Sequence, residues 1–122
     1  MGKVQCGKLK GAPAYLNAVR RRAVEVAIRE TCDIRKWHLY AINVRTNHAH
    51  AVVAAGASKP SLVLHAFKAN ATRKMREDKC WEFSYSPWVD KGSRRLLWND
   101  QSIALAVDYV LNGQGDDLPN FD

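Results

Sequence analysis

No stretch of this chain is apolar for the roughly 18 residues that a membrane helix needs, so a bilayer span is not expected. Only three cysteines occur, Cys6, Cys32 and Cys80, and no two are close. Their spacing excludes a CxxC motif or zinc-thiolate site and argues against a disulfide framework. The opening Met1-Gly2-Lys3-Val4-Gln5-Cys6 lacks an apolar core of signal-peptide length, and a cytoplasmic location is expected. Negative charge is short as well. Twelve Asp and Glu face 19 Lys and Arg, which leaves a formal net charge of +7. An excess of that size on a small domain points to a polyanionic partner, most often nucleic acid. An anionic membrane is the rival, but no strongly basic amphipathic helix with exposed bulky apolar groups is evident. Charge alone says nothing about chemistry.

What is present fits one folded domain spanning residues 1–122, with 47% hydrophobic and 25% charged residues. There is no repeat, low-complexity segment or linker. Residues 1–13 are Gly- and Lys-rich, end in Pro13, and read as a loose lead-in. Residues 15–30 have helical spacing, with Leu16, Val19, Ala23, Val26 and Ala27 on one face. Residues 37–44 and 48–55 are aromatic, β-branched or small, and read as a hairpin around Arg45-Thr46-Asn47. Ser58-Lys59-Pro60-Ser61 signals a helix start, with a Ser cap and Pro near the first turn, and the helix should run from about residue 62 to 77 with many exposed cations. A short strand follows at 94–98. Asn99-Asp100 then caps a last helix over residues 101–112, which Gly113-Gln114-Gly115 ends. Residues 116–122 read as a loose acidic tail. This order predicts an α+β, ferredoxin-like split βαββαβ sandwich with an antiparallel sheet. Its opening strand either lies within residues 3–9 or is missing.

Few residues stand out as carriers of chemistry. His48 and His50 are two apart on a predicted strand, so their imidazoles project from one face and can converge on a divalent cation. The alternative is two partly buried structural histidines. On the last helix, Ile103, Ala106, Val107, Val110 and Leu111 form an apolar stripe. At about 100° per residue, Tyr109 falls roughly 130° from its centre, outside the place of an ordinary core tyrosine. A phenol keeps its proton at neutral pH, so nucleophilic use would need a metal that polarises the phosphate or the phenol. The alternative is a surface tyrosine lying over the edge of the core. The aromatics of the 81–88 loop can stack on unpaired bases or can pack the core.

In order and spacing these residues resemble the HUH single-tyrosine transposases, which include insertion-sequence transposases and REP-associated transposase-like proteins. The main anchor is Trp37 to Val53, with its Asn47-His48-Ala49-His50 centre. Supporting pieces are Phe67-Lys68-Ala69-Asn70-Ala71-Thr72-Arg73, Gly92-Ser93-Arg94-Arg95-Leu96-Leu97-Trp98 and Asp108-Tyr109-Val110-Leu111-Asn112-Gly113-Gln114. The resemblance implies that His48 and His50 bind Mg²⁺ or Mn²⁺, and that Tyr109 attacks a phosphate in hairpin-bearing single-stranded DNA. It also implies a 5′-phosphotyrosine intermediate and a homodimer. Lys68, Arg73, Arg76, Arg94 and Arg95 would suit DNA binding. The family often carries Gln or Asn four residues after the tyrosine. Gly113 stands there in this chain; Asn112 and Gln114 flank it and either can substitute, with Gln114 taken as the expected third metal ligand. Family members usually open with a strand rich in Tyr, Phe and Thr, unlike the polar Met1–Pro13. Two other readings compete: an inactive or domesticated relative that binds DNA hairpins, and an RNA-binding ferredoxin-like module. The latter leaves the His pair unexplained.

Overall fold

Seven elements follow in order: β1 (Val4–Gly11), α1 (Ala18–Arg35), β2 (His38–Val44), β3 (His48–Ala54), α2 (Pro60–Glu77), β4 (Trp88–Leu97) and α3 (Asp100–Asn112). The computed structural model describes residues 4–11, 16–113 and 118–121, and only the backbone of residues 89–93. The strands form one antiparallel sheet in the order β2-β3-β1-β4. The architecture is the expected α+β sandwich, followed by a C-terminal helix.

The opening strand is present, and most of the expected lead-in is structured. Residues 4–11 form an inner strand, paired with β3 on one side and β4 on the other. Ladder hydrogen bonds on both sides outweigh the weak strand preference of a Lys- and Gly-rich segment. The final strand is also longer than expected, because it begins at Trp88 to stay level with β1.

Alternation along the strands gives the sheet two different faces. Leu9, Ala49, Ala51 and Val53 face α1 and α2, where they join Val24, Ile28, Phe67, Met75 and Trp81 in the larger core. Cys6, Ala41, Val52 and Leu97 face α3, where they meet Ala106, Val110, Leu118 and Phe121. In β2 a register shift between Leu39 and Ala41 inserts one residue. That bulge sends Leu39 to the larger core and Ala41 to the α3 face, which strict alternation would forbid.

The helix ends follow local chemistry. Asn17 Oδ1 accepts from Arg20 N at 2.9 Å to open α1, and Asn99 Oδ1 accepts from Ser102 N at 2.8 Å to open α3. Ser58 does not cap α2. Lys59 holds the cap position without a side-chain bond, and Pro60 starts the helix because its missing N–H needs no partner. α1 runs on to Arg35 and stops at Lys36, whose left-handed φ of 62° lets Trp37 N reach Cys32 O.

Within the expected loose tail, the described residues 118–121 are docked. Leu118 and Phe121 are buried on α3, Ser102 Oγ donates to Phe121 O at 3.0 Å, and an Arg95 Nη donates to Leu118 O at 3.3 Å. Two apolar side chains in an otherwise acidic segment are enough to dock it. Among the described residues no helix is long and apolar enough to cross a membrane.

The three thiols are free. Burial pushes Cys6 up to about 12, against a smaller lowering by Arg95, and pushes Cys32 up to about 11. A raised thiol pKa means that the folded state holds its proton while the unfolded chain releases it near 9.0. Stability from these two groups is therefore complete below pH 9 and declines as pH rises from there towards 11 and 12. The thermal midpoint should drop between pH 8.5 and 10.5, and should drop less in a Cys6→Ala/Cys32→Ala double variant. An equal drop in both proteins would show that the thiols are not responsible.

Candidate active site on the α3 face of the sheet

His48 and His50 stand on the α3 face of β3, on the same side as Val52. Their rings meet edge to face, with centroids 4.8 Å apart and planes at 76°. His50 is fully buried, whereas His48 is half-buried. Asn47 Oδ1 lies 2.7 Å from His48 Nδ1. With the proton on Nδ1, that bond leaves the Nε2 lone pair as the ligating position.

α3 brings Tyr109 to the pair. Its ring is edge-on to His50, with centroids 5.6 Å apart, and packs at 5.8 Å against Phe121. Tyr109 is thus half-buried against the smaller core instead of lying off its edge. The inward face of α3 is Ser102, Ala106, Tyr109 and Val110, while Leu105 and Leu111 are each half exposed. The expected stripe was rotated because it counted apolar residues only. The docked tail turns Ser102 inward and gives Tyr109 a wall. Asn43, opposite His50 on β2, donates from Nδ2 to Val110 O at 3.1 Å. This bond ties the turn beside Tyr109 to the strand beside the His pair. A lone Asn in a β-branched strand was the sequence signal for that role.

Gly113 ends α3, with its N–H on Tyr109 O at 2.9 Å. A Cβ there would meet Tyr109 at an ordinary 3.9 Å, so its backbone leaves room for a side chain. The expected third ligand, Gln114, lies outside the described residues. Among the described residues no group of three His, Cys, Asp or Glu is placed to hold a metal.

The cations expected to bind DNA do not form one patch. Lys68, Arg73 and Arg76 line a groove of about 710 Å³ on α2, with His65, Thr72, Ser86 and Trp88. α2 packs on the face opposite α3. Arg94 and Arg95 pair with Gly7 and Cys6 on β1, so they project from opposite faces of the sheet. Arg94 lies beside the α2 core and Arg95 reaches the docked tail.

The packing alternative holds for two aromatics of the 81–88 loop. Trp81 and Trp88 are buried, with Trp81 Nε1 on Tyr85 O at 2.9 Å and Trp88 Nε1 on Thr72 Oγ1 at 3.1 Å. Phe83 and Tyr85 are exposed and stacked at 5.0 Å.

The family model described as transposase, IS200-like, matches residues 12–105. The chain belongs to the IS200-like transposase family. The matched span of this family member contains the His pair, while β1 and Tyr109 fall outside it. Two solved structures share its fold. One is a REP-associated tyrosine transposase bound to a REP hairpin, with 15% identity and a TM-score of 0.68 over 89% of this chain. This chain spans 64% of that one. The other is a candidate transposase from Deinococcus radiodurans R1, with 16% identity, a TM-score of 0.61 and 92% of each chain covered. Comparison with curated proteins gave no match.

Proposed function

We propose that this transposase-family chain cleaves and rejoins hairpin-bearing single-stranded DNA as a homodimer, using Tyr109 as nucleophile beside a metal held by His48 and His50. The observation that carries the reading is the edge-to-face meeting of Tyr109 and His50 at 5.6 Å, from elements far apart in the chain. The hairpin-bound structure supports a hairpin ligand. The net charge of +7 supports a nucleic-acid partner.

The donor set fits a catalytic divalent ion. Two imidazoles on one face supply two ligands and leave positions for Gln114, water and phosphate oxygens. Two nitrogen donors favour Mn²⁺ over Mg²⁺, which prefers oxygen and gives up water reluctantly. A bound ion would act as a Lewis acid on a non-bridging phosphate oxygen.

The chain's own residues do the rest. Asn47 fixes the His48 tautomer, and Asn43 holds the end of α3 against β2. The Tyr109 oxygen attacks phosphorus, and its proton passes to water. The bond between phosphorus and the 3′-oxygen breaks with its electron pair on that oxygen, which takes up a proton. The products are a 5′-phosphotyrosine and a free 3′-OH, and attack by another 3′-OH reverses the step and joins strands.

Incubation with labelled hairpin-bearing single-stranded DNA and Mn²⁺ should yield a protein–DNA adduct that survives denaturation. The absence of carboxamide at Gly113 favours a second reading, a non-catalytic hairpin binder. That reading gives binding with no adduct under either metal. A protein that neither binds nor reacts would overturn both.

A further inference from the structure

Lys8 is a lysine inside the fold. It is only 7% exposed, yet among the described residues no carboxylate forms an ion pair with it. Lysine is almost never buried unless paired, because an ammonium taken from water needs a counter-charge. Its place in the sheet suggests what that counter-charge is. In the β1–β3 ladder Lys8 is directly opposite His50, and Lys10 is directly opposite His48. Directly opposed residues of an antiparallel pair share a face, with Cβ atoms about 5 Å apart. The neighbouring pair Cys6 and Val52 confirms which face, since both pack against α3. The two lysines therefore run alongside the two histidines, on the side of β3 away from Asn43.

We propose that Lys8 and Lys10 bind the DNA backbone at the cleavage site, Lys8 on the phosphate beside His50 and Lys10 on the next phosphate along β1. The inference rests on the function proposed above and adds the groups that seat the substrate. Neutral imidazoles carry no charge to hold a phosphodiester before the metal is engaged, and Tyr109 supplies none either. A fixed ammonium beside the pair supplies that attraction. The backbone would then run parallel to β1. An exposed Lys10 can follow it, while a buried Lys8 fixes its register. It also explains why the chain keeps a strand of weak β-propensity in the middle of its sheet: two of its residues serve the site, not the core.

The test uses fluorescein-labelled oligo(dT) and the full chain, with affinity measured across a range of salt in the absence of divalent metal. Lys8→Met keeps the unbranched side chain and removes the charge. It should lower affinity about ten-fold and flatten the slope of log affinity against log salt by about 0.7, the value for one contact to a single strand. Lys8→Arg should restore both. Lys10→Met, at an exposed position, should flatten the slope without disturbing the fold, and it decides the matter if Lys8→Met unfolds. At saturating hairpin DNA with Mn²⁺, Lys8→Met should also slow adduct formation, which a purely structural role rescued by Arg would not combine with a changed salt slope. An unchanged slope in both Met variants overturns the proposal. A wild-type protein that forms no adduct overturns the Tyr109 chemistry instead, and the salt slopes still decide the lysines.

Discussion

Tyr109→Phe should abolish the covalent protein–DNA adduct while hairpin binding and fold persist. The substitution removes one oxygen and keeps the ring. The edge contacts to His50 at 5.6 Å and Phe121 at 5.8 Å are made by ring atoms, so the smaller core stays filled. A hydroxyl's hydrogen bonding is worth about 1 kcal/mol, too little to unfold a domain of this size. The nucleophilic oxygen has no substitute on that ring. Denaturing gels of the labelled hairpin should show the adduct with the wild type only, and native gels should show equal complexes with both. An adduct that persists in the Phe variant would place the nucleophile elsewhere.

The His pair should separate chemistry from stability in a second experiment. His48→Ala and His50→Ala should each weaken Mn²⁺ binding by about 100-fold or more, since loss of even an outer-shell partner costs 10- to 100-fold. Their effects on unfolding should differ. His50 is fully buried between His48 and Tyr109, so truncation opens a cavity and costs about 2–4 kcal/mol, as for other large buried side chains. His48 is half-buried at the start of β3, and its loss should cost about 1 kcal/mol or less. Calorimetric Mn²⁺ titration and urea unfolding midpoints read the two effects independently. Full Mn²⁺ affinity in His50→Ala would remove the metal assignment.

Much of this site was legible because it depends on local periodicity. Alternation along a strand is enough to put His48 and His50 on one face, and Asn99 announces the start of α3 whatever lies around it. The misjudged features depend on partners distant in the chain. β1 looks polar and Gly-rich in isolation. Its lysines sit on the face that carries the His pair, and its ladder bonds come from β3 and β4. Leu118 and Phe121 gave no periodic signal, yet they cover α3 and decide that Tyr109 packs inward. Arg94 and Arg95 look like one basic patch until the strand around them sends their side chains to opposite faces. Asn43 stood out as a lone polar residue in its strand, but its role lies in a bond to Val110, 67 residues away in the chain.

The middle position of β1 has a consequence for how the chain acquires its structure. Val4 pairs with Ala54 on one side and with Leu97 on the other. β1, which precedes the other three strands of this sheet in the chain, must therefore wait for β4 before both its edges are closed. Contacts so distant in sequence raise the entropic cost of reaching the transition state and slow folding. Until β4 emerges, β1 and β3 can only form a sheet with an open edge, and that edge is a template for pairing with another chain. Two charged side chains on β1, Lys8 and Lys10, resist such pairing during that interval. The residues placed beside the histidines for the finished protein also protect the unfinished one.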